Sequence, residues 1–164
     1  MKKIICALIC VLTLCSCSSF KDVRVVNKGI DFKAHIFYLS KEYFLSVSME
    51  NDGTACFTVT EDKINSFNVC ICNNKVTFCC DGIEYEQDVS AVKNSVYTVV
   101  YTVFAYFDQY DYKAEKRDGN YFVKGDTSLF DFELLVSPAG LPISAEGEDF
   151  SANFYDVTLK NNKK

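Results

Sequence analysis

The sequence predicts one α+β domain, built from antiparallel strands and a single helix. Two observations favour this class. Apolar and polar residues alternate with a period of two over most of the chain after residue 30, and one segment follows the longer period of a helix instead. The 164 residues are 49% hydrophobic and include 14 phenylalanines but only 2 prolines, so the chain can bury a sizeable core and is not disordered.

Strand periodicity is clearest between residues 31 and 85. Phe32, Ile36 and Tyr38 alternate with polar neighbours such as His35, which is typical of a strand with one buried face. Asn73-Asn74 and Asp81-Gly82 are turn sequences that tolerate the left-handed backbone of a two-residue hairpin. The pattern predicts a meander of strands at 31–38, 43–50, 55–59, 67–71, 76–80 and 83–85.

A helix is predicted over residues 90–109, with Ser90 as its N-cap. Apolar residues follow one helical stripe there: Val92, Val96, Val99, Val100, Val103, Phe104 and Phe107. The many valines and threonines lower helix propensity, so a pair of strands remains the alternative for this segment. A polar loop is expected over 108–120, followed by strands at 121–124, 130–137, 142–145 and 150–159.

The amino terminus predicts export. Lys2 and Lys3 precede an 11-residue apolar run, which is too short to span a bilayer and is typical of a signal peptide. The next residues, Leu14-Cys15-Ser16-Cys17, resemble the bacterial lipobox, in which the last cysteine receives a diacylglyceryl group. The alternative is an ordinary signal peptide that releases a secreted protein.

The lipobox resemblance divides the chain into a cleaved signal peptide at 1–16, an anchor with a short tether at 17–27, and one domain at 28–160. It implies a protein held at the extracytoplasmic face of a cell membrane by the lipid on Cys17. The net charge is −5 and becomes −7 without Lys2 and Lys3, and the chain has no basic stretch. We therefore expect no nucleic-acid partner.

Residues that could carry chemistry are few. His35 is the only histidine, and the alternation places it on the polar face with no nucleophile paired to it. The acidic residues at 108–118 and 146–149 match no calcium-binding loop and are expected in solvated turns. We therefore expect no catalytic residue, cofactor or metal, and no enzymatic activity.

Five cysteines remain within the domain: Cys56, Cys70, Cys72, Cys79 and Cys80. Free thiols are the leading interpretation, because five cannot all pair. A disulfide between Cys56 and Cys70 is the second, since a turn after residue 60 would set them opposite each other on neighbouring strands. A thiolate metal site is the third, although the spacings are not those of zinc knuckles.

The order of elements also resembles that of the lipoprotein-localisation-factor (LolA/LolB-like) superfamily. The likeness rests on the lipobox, the meandering strands, one helix after the sixth strand, and a strand followed by the turn Pro138-Ala139-Gly140-Leu141-Pro142. It implies a strongly curved antiparallel sheet of about ten strands, wrapped as a half-barrel around the helix and able to hold acyl chains on its concave face.

The resemblance gives two expectations for function. The first is a lipoprotein that binds a lipid or another apolar ligand on the concave face, lined by Phe32, Ile36, Tyr38, Leu45, Val47, Phe57, Val69, Phe78, Val96, Val100, Phe104, Phe132 and Leu134. The second is a non-enzymatic structural or interaction lipoprotein, in which the same side chains fill an ordinary core.

Overall fold

The computed structural model describes residues 23–59 and 67–160. The predicted signal peptide and the predicted lipid attachment at Cys17 lie outside the described residues. Eleven strands and one α-helix make up the described chain. The strands are β1 (Ile30–Tyr38), β2 (Lys41–Met49), β3 (Ala55–Val59), β4 (Asn68–Cys72), β5 (Lys75–Cys80), β6 (Ile83–Asp88), β7 (Ala114–Arg117), β8 (Asn120–Asp126), β9 (Asp131–Val136), β10 (Pro142–Gly147) and β11 (Phe150–Leu159).

All the strands belong to one antiparallel sheet in the order β6-β5-β4-β3-β2-β1-β11-β10-β9-β8-β7. Two meanders, β1 to β6 and β7 to β11, join where the first strand pairs with the last: Ala34 lies opposite Phe154 and Ile36 opposite Ala152. The sheet is open, with β6 and β7 at its two ends. The predicted α+β class and the antiparallel arrangement are confirmed.

The alternation also identified the buried face of the sheet. Along β1, Ile30, Phe32, Ala34 and Ile36 are buried, while the residues between them are partly or fully exposed. The predicted hairpin turns are present as well: Asn73 and Asn74 have φ of 47° and 63°, and Asp81 and Gly82 have φ of 50° and 82°. Both turns thus have the backbone that matches the twist of the flanking strands.

The sequence does not predict one strand, β7. β7 (Ala114–Arg117) lies within the expected polar loop, because only Ala114 is buried. Glu115 and Arg117 form an ion pair of 2.6 Å between Oε2 and Nη2 on the exposed side of this strand. A short, charged strand at a sheet edge shows no apolar alternation, so its sequence is like that of a solvated turn.

The helix α1 (Val96–Gln109) begins six residues later than predicted. Its N-cap is Ser95, whose Oγ accepts a hydrogen bond of 3.2 Å from the backbone N–H of Thr98. Ser90 lies instead in a short 3₁₀ helix (Val89–Val92) and donates its backbone N–H to Asp88 at 2.9 Å. The predicted N-cap at Ser90 and the alternative of two strands are therefore both wrong. Two N-cap residues, Asp88 and Ser95, lie close together in the sequence, and the α-helix begins after the second.

The core lies between α1 and one face of the sheet, called here the inner face. The Phe104 ring of α1 lies 5.1 Å from Phe32 of β1 and 5.5 Å from Phe154 of β11, measured between ring centroids. Near the start of the helix Tyr97 contacts Phe57 of β3 at 5.5 Å. Aromatic pairs at these separations are favourable beyond the burial of their area.

The carboxyl end of β11 is tied to the first two strands by Lys160. Its amine lies 3.3 Å from the carboxylate of Asp31 and 2.5 Å from the hydroxyl of Ser48, and it also contacts Glu50. Burial alone would lower the pKa of this amine, but the hydrogen bonds to Glu50 and Asp31 outweigh it and raise the pKa. The positive charge therefore links the carboxyl end of the last strand to the first two strands of the chain.

Residues 23–27 pack against the domain, although the sequence places them in the tether. Tyr112 Oη accepts a hydrogen bond of 2.7 Å from the Val25 N–H and donates one of 3.2 Å to the Val23 carbonyl. Val26 N–H donates to the Gly140 carbonyl at 2.9 Å, and the Val25 side chain is only 3% exposed. A Cβ at Gly140 would collide with the Arg24 carbonyl, so this contact requires glycine.

We predict that Tyr112→Phe releases residues 23–27 from the domain. Losing two hydrogen bonds from one hydroxyl should cost about 1–2 kcal/mol of unfolding free energy. Urea unfolding and hydrogen exchange of the Val25 amide measure the two effects. Tyr110→Phe is the control, because Tyr110 is 52% exposed and keeps its ring contact with Tyr106. Unchanged exchange at Val25 in Tyr112→Phe would contradict the assignment.

Candidate functional site

The residues expected to line a ligand site are mostly packed against one another. Only Tyr38 and Phe78 are half-buried, and the remaining eleven are at most 4% exposed: Phe32, Ile36, Leu45, Val47, Phe57, Val69, Val96, Val100, Phe104, Phe132 and Leu134. Phe132, for example, meets the Tyr106 ring of α1 at 5.4 Å. Little of the surface of these eleven side chains is therefore open to an apolar ligand.

Apolar side chains on the inner face remain accessible beyond the helix, on β5, on β6 and just before β4. We call Phe67, Phe78, Ile83 and Tyr85 the open patch. Phe78 lies opposite Tyr85 across β5 and β6, and the rings of Phe67 and Phe78 stack 6.2 Å apart. Ile83 is 74% and Tyr85 62% exposed. Contiguous exposed apolar groups indicate a binding surface more strongly than isolated ones do.

Polar groups border the covered part of the core near the start of α1. The Tyr38 hydroxyl donates a hydrogen bond of 3.0 Å to the Asn94 carbonyl, just before the N-cap. Burial raises the pKa of Tyr38, and it also raises the pKa of Tyr97, with Tyr43 adding to both shifts. At neutral pH both phenols are neutral, as an unshifted tyrosine also is, and they add no negative charge beside the apolar core.

The cysteines confirm the second interpretation, a disulfide between Cys56 and Cys70. Cys56 lies directly opposite Cys70 across β3 and β4, and the two are joined by a disulfide with a Cα–Cα distance of 4.1 Å. Cys72, Cys79 and Cys80 are free, half-buried thiols. Within residues 23–59 and 67–160, no three side chains of histidine, cysteine, aspartate or glutamate converge as a metal site requires.

His35 lies on the outer face, as predicted. Its ring stacks on Phe44 at 4.4 Å, and Nε2 lies 3.9 Å from Glu42 Oε2, beyond hydrogen-bond distance. Among the acidic residues predicted in turns, Asp108 pairs with Lys28 at 2.8 Å and accepts a hydrogen bond of 2.9 Å from the Asn27 amide. Asp108 therefore helps to fix the amino-terminal segment on the end of α1.

Two clefts lie largely outside the expected ligand face, although Phe32 and Val47 of that face also line the second. One of about 350 Å³ lies where the amino-terminal segment crosses the end of α1, between Val25, Phe107 and Tyr112. Another, of about 320 Å³, is lined mainly by polar residues of the outer face, including Lys33, Ser46 and Asp156. Their lining places the first against the docked segment and the second on the side of the sheet opposite the helix.

Sequence reasoning missed two features of this region. The Tyr112 contacts with residues 23–25 join positions almost 90 residues apart, and no local pattern signals them. The alternation did include Ile83 and Tyr85, but it cannot show that the helix stops short of them. The position of α1 on the sheet decides which of the inner-face side chains are covered and which remain exposed.

No family model matches the chain, and no curated protein matches it.

In the part of the chain that the structure describes, α1 is the one α-helix, and no helix there is both long and apolar enough to cross a bilayer.

We predict that reduction of the Cys56–Cys70 disulfide destabilises the domain. The two cysteines are 14 residues apart, and closing a loop of that length contributes about 3 kcal/mol in the chain-entropy account. Urea unfolding with and without dithiothreitol measures this difference. A Cys56→Ala/Cys70→Ala variant is the control and should not respond to the reductant; equal stability of the native chain under both conditions would refute a structural disulfide.

Proposed function

We propose that this protein is a lipoprotein, anchored through Cys17 to the extracytoplasmic face of a bacterial membrane, that binds an acyl chain or a similar apolar ligand. The ligand site is the open patch, at one end of a sheet that curves as a half-barrel around α1. The observation that carries the proposal is the exposure of Ile83 and Tyr85 beside the half-buried Phe78.

The docked amino-terminal segment supports the anchored part of the proposal. Because residues 23–27 pack against the domain, an anchor at Cys17 would be joined to the docked segment by only six residues, 17–22. Six extended residues span at most about 20 Å. The domain would then stay close to the lipid surface.

The size of the open patch sets the strength of binding. Burying apolar surface contributes about 25 cal/mol per Å², and the patch offers only the outer parts of four side chains. Most of that gain is offset by the cost of association. We therefore expect weak, reversible binding, suited to transient contact with a lipid and not to its permanent storage.

The filled core favours a second candidate, a non-enzymatic interaction lipoprotein without a ligand. Eleven of the thirteen candidate lining residues are buried against the helix or the sheet. In this case the open patch would contact a protein partner. Mass spectrometry of lipids that co-purify with the mature chain, together with fatty-acid titration, separates the two candidates.

The ligand site predicts a specific loss of binding. Ile83→Ser/Tyr85→Ser should weaken binding of a fluorescent fatty acid about tenfold, because it removes the most exposed apolar groups of the patch. Fluorescence titration of the mature protein measures this. Phe37→Ser is the matched control, since Phe37 is 48% exposed but lies on the outer face. Equal binding by the double variant and the native chain would eliminate the patch as the ligand site.

The anchor predicts which cysteine carries lipid. Cells that express the full chain and are fed a radiolabelled fatty acid should label the native protein but not Cys17→Ala, because the thioether needs that sulfur. Cys15→Ala is the control: it keeps a small residue two positions before the acceptor and should still be labelled. Label retained by Cys17→Ala would overturn the anchor assignment and leave the ligand proposal to its own test.

A further inference from the structure

We propose that β6 is a docking edge, to which a partner protein adds an extended segment with basic and apolar residues in alternation. This inference goes beyond the proposed function, because it rests on the backbone and charge of the sheet edge and needs no lipid. β6 (Ile83–Asp88) is the last strand on its side of the sheet, and it pairs with β5 alone among the described strands.

The hairpin geometry shows which backbone groups of β6 are open. The two-residue turn at Asp81-Gly82 makes Cys80 and Ile83 the first hydrogen-bonded pair, and such pairs recur at every second position. The N–H and C=O groups of Ile83, Tyr85 and Gln87 therefore point toward β5. Those of Glu84 and Glu86 point away from the sheet, where an added strand would meet them.

The side chains of β6 specify the chemistry of the segment. Glu84 and Glu86 project from the outer face, and no ion pair with either is seen in residues 23–59 and 67–160. Asp88 is already engaged, since it accepts hydrogen bonds from the Ser90 N–H and the Asn74 amide. A partner strand with Lys or Arg opposite the two glutamates would neutralise them and place its apolar residues beside Tyr85 on the inner face.

The opposite edge of the sheet differs from β6. β7 has four residues against six in β6, and its one acidic residue is paired within the strand. The Arg117 guanidinium pairs with Glu115 and lies 4.8 Å from the centre of the Phe122 ring. Edge strands are commonly protected by short length and by charge. β6 lacks the short length, and its two glutamates repel only acidic partners.

A second copy of this chain does not fit the edge. Only alternate residues of β6 point their backbone groups outward, so antiparallel pairing of two β6 strands joins Glu84, Glu86 and Asp88 of the two copies. Carboxylates would then face each other directly, which is unfavourable. The charge pattern therefore selects a basic partner over self-association.

The proposal is tested with the mature protein and three short peptides. The first alternates lysine with valine, the second alternates glutamate with valine, and the third has the composition of the first with its lysines grouped together. Fluorescence anisotropy should show binding of the alternating lysine peptide and at least tenfold weaker binding of the other two. Equal binding of the grouped and alternating peptides would overturn the proposal, since only strand addition requires the alternation.

Two variants at one position separate strand addition from charge attraction. Glu86→Gln keeps the outward N–H and should weaken binding about threefold, as expected for one exposed ion pair. Glu86→Pro also removes that N–H, which β5 does not use, and should weaken binding at least tenfold more. Equal binding by the two variants would reduce the interaction to charge alone and overturn the docking edge.

A measurement on the native protein covers the case in which Glu86→Pro does not fold. Two versions of the alternating lysine peptide carry N-methyl groups on alternate residues, one version at the odd positions and the other at the even positions. Only one of these two frames removes the N–H groups that would donate hydrogen bonds to β6. One frame should bind at least tenfold less tightly than the other, and equal binding of both would contradict strand addition. Fatty-acid binding by Glu86→Gln should be unchanged, so failure of this inference is distinguishable from failure of the ligand site.

Discussion

The packing of α1 across the middle of the sheet is the constraint on which the rest of the structure depends. Phe104 contacts Phe32 and Phe154 together, and these two residues belong to strands at opposite ends of the chain. Their own rings lie 5.3 Å apart. The helix therefore covers the seam at which the two meanders join. Its Phe104 contacts one strand from each meander, β1 and β11. At this seam the three rings are buried against one another.

The same packing explains where the protein has an accessible apolar surface. A helix of 14 residues is about 21 Å long, whereas eleven strands at about 4.8 Å spacing extend for about 50 Å along the sheet. One helix cannot cover such a sheet, so its ends must be closed by other means. On the β7 side Tyr112, which follows the helix, helps to do so, since its ring meets that of Phe107 of α1 at 5.0 Å. On the β6 side Ile83 and Tyr85 remain exposed.

Local patterns predicted most of the strands because a period of two is a property of neighbouring residues. The alternation identified the inner face and placed Cys56 opposite Cys70, since the register follows once strand positions are known. It failed where the deciding interaction is distant or the strand is polar. β7 shows no alternation because only Ala114 is buried, and residues 23–27 appear as tether because Tyr112, which holds them, comes far later. The exposure of Tyr85 depends on where α1 ends.

The position of the amino-terminal segment relates the proposed anchor to the proposed docking edge. Val25 and Val26 are held by Tyr112 and Gly140, which lie just before β7 and between β9 and β10. In the sheet order, eight strand steps separate β9 from β6, or about 38 Å along the sheet. An anchor at Cys17 would therefore hold the β9–β10 side near the bilayer and leave β6 at the far end of the sheet. A basic partner segment could then pair with β6 while the protein remains attached to its membrane.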